Sequence, residues 1–374
     1  MKKINVIGAG LAGCEAAMQI ANSGIKVDLY EMKPERRSPA HSTNLFAELV
    51  CSNSLKAERI NSAAGLLKAE MRRFSSVCLE AADKFKVAAG GALAVDRDLF
   101  SAYITERINN HPNISVNTKT VDKIDDNDIT IIATGPLTDH ALADEILRLC
   151  GKDTLSFYDA AAPIVTAESV DMSVAFRASR YGRGDDDYIN CPMNKEEYEA
   201  FHKELIAAET APLREFDSRI TVYEGCMPIE ILAKRGEDSI RFGPLKPVGL
   251  RDPRTDKRPW AVVQLRSENK DGTLFNLVGF QTNLKFPEQK RVFSMIPGLN
   301  NAEFVRYGVM HRNSFIDSPR ILSKNLSLIN NQNVFFAGQI TGVEGYMESA
   351  ACGIIAGINA VRFLNNEEPL VLPN

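Results

Sequence analysis

A chain of 374 residues, 44% of them hydrophobic, is long enough to bury two cores. Its formal net charge of −4 argues against indiscriminate nucleic-acid binding, although local fields have to be counted separately. Without a run of roughly 18 apolar residues or a cleavage pattern after Met1-Lys2-Lys3, a cytoplasmic protein with no membrane association is expected.

Lys3 to Ile7 reads as a β-branched strand, Leu11 to Ser23 as a helix with alanines at its packing positions, and Lys26 to Tyr30 as a second strand. Between the first strand and the helix lies Gly8-Ala9-Gly10-Leu11-Ala12-Gly13, and the second strand ends on Glu31. Gly8 permits a tight turn, Gly10 lets the backbone approach a pyrophosphate, and Gly13 lets helix and strand close up. The helix N-terminus offers free N–H groups and a positive dipole end to phosphates, and Glu31 is expected to accept ribose hydroxyls. A lone G-x-G-x-x-G is a weak signal. The strand-turn-helix context and the terminal acid make it a dinucleotide site, without separating FAD from NAD.

Cys51 follows in Glu48-Leu-Val-Cys-Ser-Asn-Ser-Leu-Lys56, a polar loop in which Ser52, Asn53 and Ser54 are able to cap a following helix. Cys14, Cys78, Cys150 and Cys352 fall on apolar helical faces and read as core. Asp128 to Pro136 reads as a buried strand ending in Ala133-Thr134-Gly135. From about residue 160 to 300 the βαβ rhythm stops. Strands such as Ile220 to Tyr223 and Trp260 to Arg266 mix there with an acidic helix, Lys195 to Thr210, as expected of an inserted substrate domain.

Cys226 stands where a strand ends at Gly225 and Pro228 prevents immediate continuation, a corner that presents a thiol outward and lowers its pKa. Taken alone, it fits a buried structural cysteine better, the commoner fate of this residue type. The seven cysteines show no C-x-x-C spacing and the five histidines no ligand spacing, so neither disulfides nor a metal site is expected. Basic residues gather at 241–260 and 285–325, which are either solvated faces or a phosphate-tracking surface. His311 and Arg312 precede the last strand, Asn333 to Gly338, and a backbone-bonded loop histidine accounts for His311 equally well.

After that strand come Gln339, Gly342, Gly345 and Tyr346 in a glycine-rich loop, then a small-residue helix to about Leu364 whose Gly353 and Gly357 suit close packing on the sheet. The two late strands resemble the arrangement in two-dinucleotide flavoproteins, which makes FAD the expected cofactor. The expected fold is α/β: a Rossmann-like FAD-binding domain of the glutathione-reductase type from residues 1–160 and 300–374, with an α+β substrate domain inserted at 161–299.

Gly8 to Gly13, Glu48 to Lys56, Tyr223 to Glu230, Phe242 to Gly249, Met310 to Ser314 and Phe336 to Tyr346 together resemble the bacterial folate- and FAD-dependent tRNA uracil-5-methyltransferases, over essentially the whole chain. The resemblance implies transfer of a one-carbon unit from 5,10-methylenetetrahydrofolate through reduced FAD to C5 of the T-loop uridine of tRNA, with NADPH or NADH as reductant. It implies Cys226 as the nucleophile at C6, Cys51 beside the flavin assisting either proton removal from C5 or the covalent intermediate, and His311 and Tyr346 against the folate pterin. It gives the basic tracts a purpose on the tRNA backbone, and no obligatory protein partner is expected. Family members usually continue some tens of residues past Leu370 to Asn374, so the chain reads as truncated or as a short variant. The rival readings are a wobble-uridine tRNA modification flavoprotein, the same transfer on rRNA, a small-molecule FAD oxidoreductase, and an inactive flavin-binding module.

Overall fold

The structure is a computed structural model that describes residues 3–38, 40–125, 127–151, 154–182, 185–212 and 227–372, with the backbone alone at 140, 154–160 and 311–314. In chain order the first half holds β1 (Lys3–Ile7), α1 (Leu11–Asn22), β2 (Lys26–Glu31), β3 (Ser54–Ala57), α2 (Ala63–Arg73), α3 (Val77–Lys84), β4 (Lys86–Val87), β5 (Ala92–Val95), α4 (Arg97–Asn109), β6 (Ile114–Thr118), β7 (Thr130–Ile132), α5 (His140–Cys150) and β8 (Thr154–Ala160). The second half holds β9 (Ile164–Thr166), β10 (Phe176–Arg177), β11 (Tyr188–Met193), α6 (Lys195–Ala207), α7 (Ile229–Ala233), β12 (Ala261–Ser267), β13 (Leu274–Leu277), α8 (Phe286–Phe293), β14 (Phe304–Arg306), β15 (Met310–Ile316), α9 (Ser318–Ile321), β16 (Val334–Phe336) and α10 (Tyr346–Leu364).

The β1-α1-β2 unit forms as its pattern demands, because apolar residues alternate on the strands while small residues line the helix face against them. Five parallel strands follow in the order β16-β7-β1-β2-β6, so the chain's first and last cofactor strands meet through β7. One face packs Ile4, Val6 and Phe335 with α1, α3, α4 and α10, and the other packs Ile132, Val334 and Phe336 with α5. This is a doubly covered α/β sheet of the Rossmann-like, FAD-binding type.

Gly353 and Gly357 do lie at a close approach, but to α1 rather than to the sheet as expected. A Cβ on Gly353 would overlap the Ala12 carbonyl, and one on Gly357 would stand 2.8 Å from the Ala16 oxygen. By length and composition α10 is able to cross a membrane, the one such helix among the described residues, yet half of it is buried, as in a core helix.

A second, antiparallel sheet of order β10-β11-β12-β13-β9-β14 has its own core, in which Phe280 meets Phe293 edge-on with centroids 5.2 Å apart. It reaches past residue 299 to β14, and the β8–β15 ladder runs alongside the crossing between the two halves. The α6 helix starts at a reciprocal cap between Asn194 and Glu197. The expected strand Ile220 to Tyr223 lies outside the described residues.

Candidate active site

The glycine turn has the shape a pyrophosphate needs. Gly8 stands at φ +98°, and a Cβ on it would come within 2.7 Å of the Ala133 oxygen. A Cβ on Gly13 would overlap the Gly8 carbonyl, so α1 sits directly on the turn. Gly10 caps α1, has ordinary negative φ, and a Cβ built on it meets nothing within 4 Å. That open space, with no acidic residue in the first turn of α1, leaves the N–H groups of Leu11, Ala12 and Gly13 facing a volume suited to an anion.

Gly8, Ala9, Gly10, Glu31 and Thr134 line one pocket together with Lys33, His41, Thr138 and Asp139. Glu31 is buried and its carboxylate accepts Ala9 N at 2.8 Å and Lys33 N at 3.0 Å, so it also braces the turn. Thr134 bonds Thr138 between hydroxyls at 2.7 Å, and Gly135 turns the chain at φ +70°. Gly338, at φ +83°, brings the last loop against Ala12, and Gln339 and Gly342 continue it as a short 3-10 turn. Gly345 caps α10 and Tyr346 opens it.

Lys33 and His41 were not singled out by sequence, although a lysine two residues past a buried strand is a usable signal. Lys33 Nζ bonds the Leu45 carbonyl and lies 3.8 Å from Glu48. Burial pulls the His41 imidazole below its ordinary value, and its Nδ1 shares a 2.6 Å bond with Ser38. Burial alone would raise the Glu48 carboxyl, but Ser42 N and Oγ at 2.8 and 2.7 Å, with Thr43 behind them, hold it low. Its folded value is below its unfolded value. Its contribution to stability is therefore complete above the unfolded value of about 4.3 and lost as pH falls through the folded one. Glu48→Gln is expected to lower the thermal midpoint at pH 7 and to shrink the acid-side loss between pH 5 and 3. Parallel wild-type and variant curves would contradict this.

Cys51 is held against α10. Tyr346 Oη accepts Cys51 N at 2.8 Å and Ser52 N at 3.3 Å, and lies 3.0 Å from Cys51 Sγ. Burial, with Cys51 adding in the same direction, pushes the Tyr346 phenol well above its ordinary value. Two N–H groups already donate to the phenol oxygen, and in its remaining contact with the Cys51 sulfur either group can be the donor.

Ser52, Asn53 and Ser54 do not cap a helix as expected: β3 follows, and the loop is tied to the second sheet instead. Asn53 is fully buried and donates to Val95 O at 3.0 Å and Ser267 O at 2.8 Å. Arg266 reaches Asn53 Oδ1 at 2.9 Å and Ser52 Oγ at 2.8 Å. Arg97 donates to Leu49 O at 2.8 Å and pairs with Glu268 at 2.6 Å, and Arg306 donates to Val50 O at 2.8 Å. Burial pulls the Arg266 and Arg306 values down. The signal for Arg266 was its place on the strand Ala261 to Ser267, directly after Ala261-Val-Val-Gln-Leu265, where a buried charge must find partners.

Cys226 lies outside the described residues; α7 begins at Ile229, within the end of its motif, and the buried Glu230 accepts Thr282 Oγ1 and Asn283 N, both at 2.8 Å. His311 is not in a loop but in β15, opposite Asp159, and its ring is outside the description. Of the expected core cysteines, Cys14 and Cys78 are fully buried, while Cys150 and Cys352 are partly exposed.

The basic tracts divide. In the second, Lys285 pairs with Glu209 at 2.6 Å, Arg291 with Glu204 and Glu288, Arg320 with Asp317, and Arg306 donates to Val50 O, while Lys290 and Lys324 make no ion pair among the described residues. In the first, Arg241 stacks on Trp260 at 3.7 Å and pairs with Asp238, Arg251 pairs with Asp256 and Arg254 with Asp252 at 2.7 Å, while Lys246, Lys257 and Arg258 make no ion pair among the described residues.

The glucose inhibited division protein A family model matches residues 3–368. A methylenetetrahydrofolate--tRNA-(uracil-5-)-methyltransferase TrmFO of Desulforamulus reducens is 60% identical over 371 residues, which is 99% of this chain and 84% of that relative. One from Listeria monocytogenes is 58% identical over 372 residues, covering 100% and 85%. The solved structure of Aquifex aeolicus GidA superposes with a TM-score of 0.74 at 18% identity, covering 99% of this chain and 64% of that one. This chain thus spans less than two thirds of that GidA chain, and about 85% of the two methyltransferase relatives. The chain belongs to the glucose inhibited division protein A family, and within it to the branch of the folate-dependent tRNA uracil-5-methyltransferases.

Proposed function

We propose that this protein transfers the one-carbon unit of 5,10-methylenetetrahydrofolate to C5 of the T-loop uridine of tRNA, giving 5-methyluridine, with bound FAD and with NADPH or NADH as reductant. The observation that carries this reading is 60% identity over 371 residues to a relative named for that reaction. Bound FAD would supply the redox chemistry that turns a methylene unit into a methyl group.

The open turn at Gly10 and the α1 N-terminus would hold the pyrophosphate, with Glu31 on the ribose and the Gly338 to Tyr346 loop closing over the cofactor. C5 of uracil is a poor nucleophile until a group adds to C6. The Cys226 thiolate would form that S–C6 bond, pushing the electron pair toward O4 so that C5 can take the carbon. Cys51, its sulfur set by Tyr346, would then remove the C5 proton, and loss of Cys226 from C6 would restore the double bond. His311 on β15 is placed in this reading against the pterin, and the unpaired cations of 241–260 on the RNA backbone. Such a substrate locates the reaction in the cytoplasm.

The purified yellow protein, given methylene-labelled methylenetetrahydrofolate, NADPH and unmodified tRNA, is expected to label the RNA in its T-arm. Protein that retains FAD yet leaves the RNA unlabelled would overturn the proposal. Label confined to the anticodon arm would move the chain to the wobble-uridine class.

A further inference from the structure

An arginine inside an apolar strand is costly unless every donor is used. Arg266 is such a residue, one of seven buried positions on β12: besides bonding Tyr188 on the neighbouring β11, it reaches the Cys51 loop at Asn53 Oδ1 and Ser52 Oγ. The two residues after it do the same: Ser267 O accepts Asn53, and Glu268 pairs with the Arg97 that grips Leu49 O. On the other side, Tyr346 collects the N–H groups of Cys51 and Ser52. The loop is thus clamped between α10 of the flavin domain and the end of β12.

We propose that Arg266, together with the Arg97–Glu268 pair, is a positioning residue that sets the Cys51 sulfur against Tyr346 and makes that setting depend on how the second sheet is seated. Its consequence for methyl transfer rests on the reading that Cys51 acts in the reaction, but the positioning itself does not. The charged and titratable groups around the loop are Arg97, Arg266 and Arg306 as cations, Glu268 as an anion, and the Tyr346 phenol, with Tyr188 against Arg266, Glu48 acting on Arg306, and the Lys56–Glu348 pair at the loop's end. Removing a cation from this set disfavours thiolate.

The test is alkylation of the flavin-loaded full chain by iodoacetamide across pH 6 to 10, with the modified peptides resolved by mass. Arg266→Gln is expected to slow modification of Cys51 at pH 8 by about tenfold and to move its midpoint upward. Arg266→Lys should recover part of both, because an ammonium keeps the charge but satisfies one acceptor rather than a fork. Ser52→Ala, which removes one acceptor without touching the strand, is expected to shift Cys51 the same way by less. Cys150, far along the chain on α5, serves as the internal gauge of an intact fold. If Arg266→Gln loosens the fold, Cys150 modification accelerates too, and Ser52→Ala then decides. A Cys51 profile unchanged in both variants, or in Ser52→Ala when the other unfolds, overturns the proposal. Failure of the functional reading shows elsewhere, as tRNA labelling that survives Cys51→Ala.

Discussion

Gly10→Ala is expected to yield a normally folded but colourless protein, whereas Gly13→Ala loses both the flavin and the fold's stability. The two glycines lie three residues apart in one turn, and their surroundings differ. A methyl on Gly10 meets no protein atom within 4 Å, and its φ of −73° is ordinary for alanine. Folding stability should therefore stay within about 0.5 kcal/mol of wild type. The methyl would occupy the space left for the pyrophosphate, and loss of about 3 kcal/mol of binding would weaken FAD by roughly a hundredfold. On Gly13 the methyl would run into the Gly8 carbonyl, which is backbone and cannot rotate away. Gly8 is itself pinned by its N–H to Tyr30 O at 2.8 Å, next to a strand ladder in which Ala133 N bonds Ile7 O at 2.8 Å. Relief requires lifting α1 from the sheet, at a cost on the order of 3 kcal/mol. Flavin content after gel filtration and apoprotein melting separate the cases. Gly10→Ala protein that binds FAD as wild type does would show that the turn is not the phosphate site.

The parts of this molecule that could be read from sequence are those whose cause is local. The β1-α1-β2 unit, its glycine turn and Glu31 depend on periodicity and on spacing within one stretch of chain, and the structure places them together. Gly353 and Gly357 announced a close approach, but spacing along a helix does not name the partner, and α1 took the place assigned to the sheet. Ser52 and Asn53 carry a helix-cap signal because their side chains bond nearby backbone; here the acceptors and donors come from Arg266 and Ser267, more than two hundred positions away. The basic tract at 285–325 looked like a surface for phosphate because its acids, Glu204 and Glu209, are also remote in sequence. His311 read as a loop because its strand exists through pairing with β8, across the whole inserted domain.

The largest expected effects belong to the two cysteines, and they differ in kind. Cys226→Ala removes the group that would bond to C6, so labelled transfer to tRNA should fall by on the order of a thousandfold or more. It should also abolish a covalent complex with T-arm RNA carrying 5-fluorouracil, in which fluorine at C5 blocks completion and leaves the S–C6 bond in place. Cys51→Ala should reduce turnover comparably yet leave that complex intact, because adding sulfur to C6 does not require removing a proton from C5. Tyr346→Phe is the graded intermediate: it deletes the phenol that lies 3.0 Å from Cys51 Sγ, and turnover should fall less than in Cys51→Ala. Mass mapping of the trapped complex identifies the sulfur. An adduct that persists in Cys226→Ala and vanishes in Cys51→Ala would exchange the two roles, and the sulfur set by the phenol would then be the nucleophile. That exchange would also give the arginine clamp a different task, holding the attacking sulfur in line with C6 rather than holding a base beside C5.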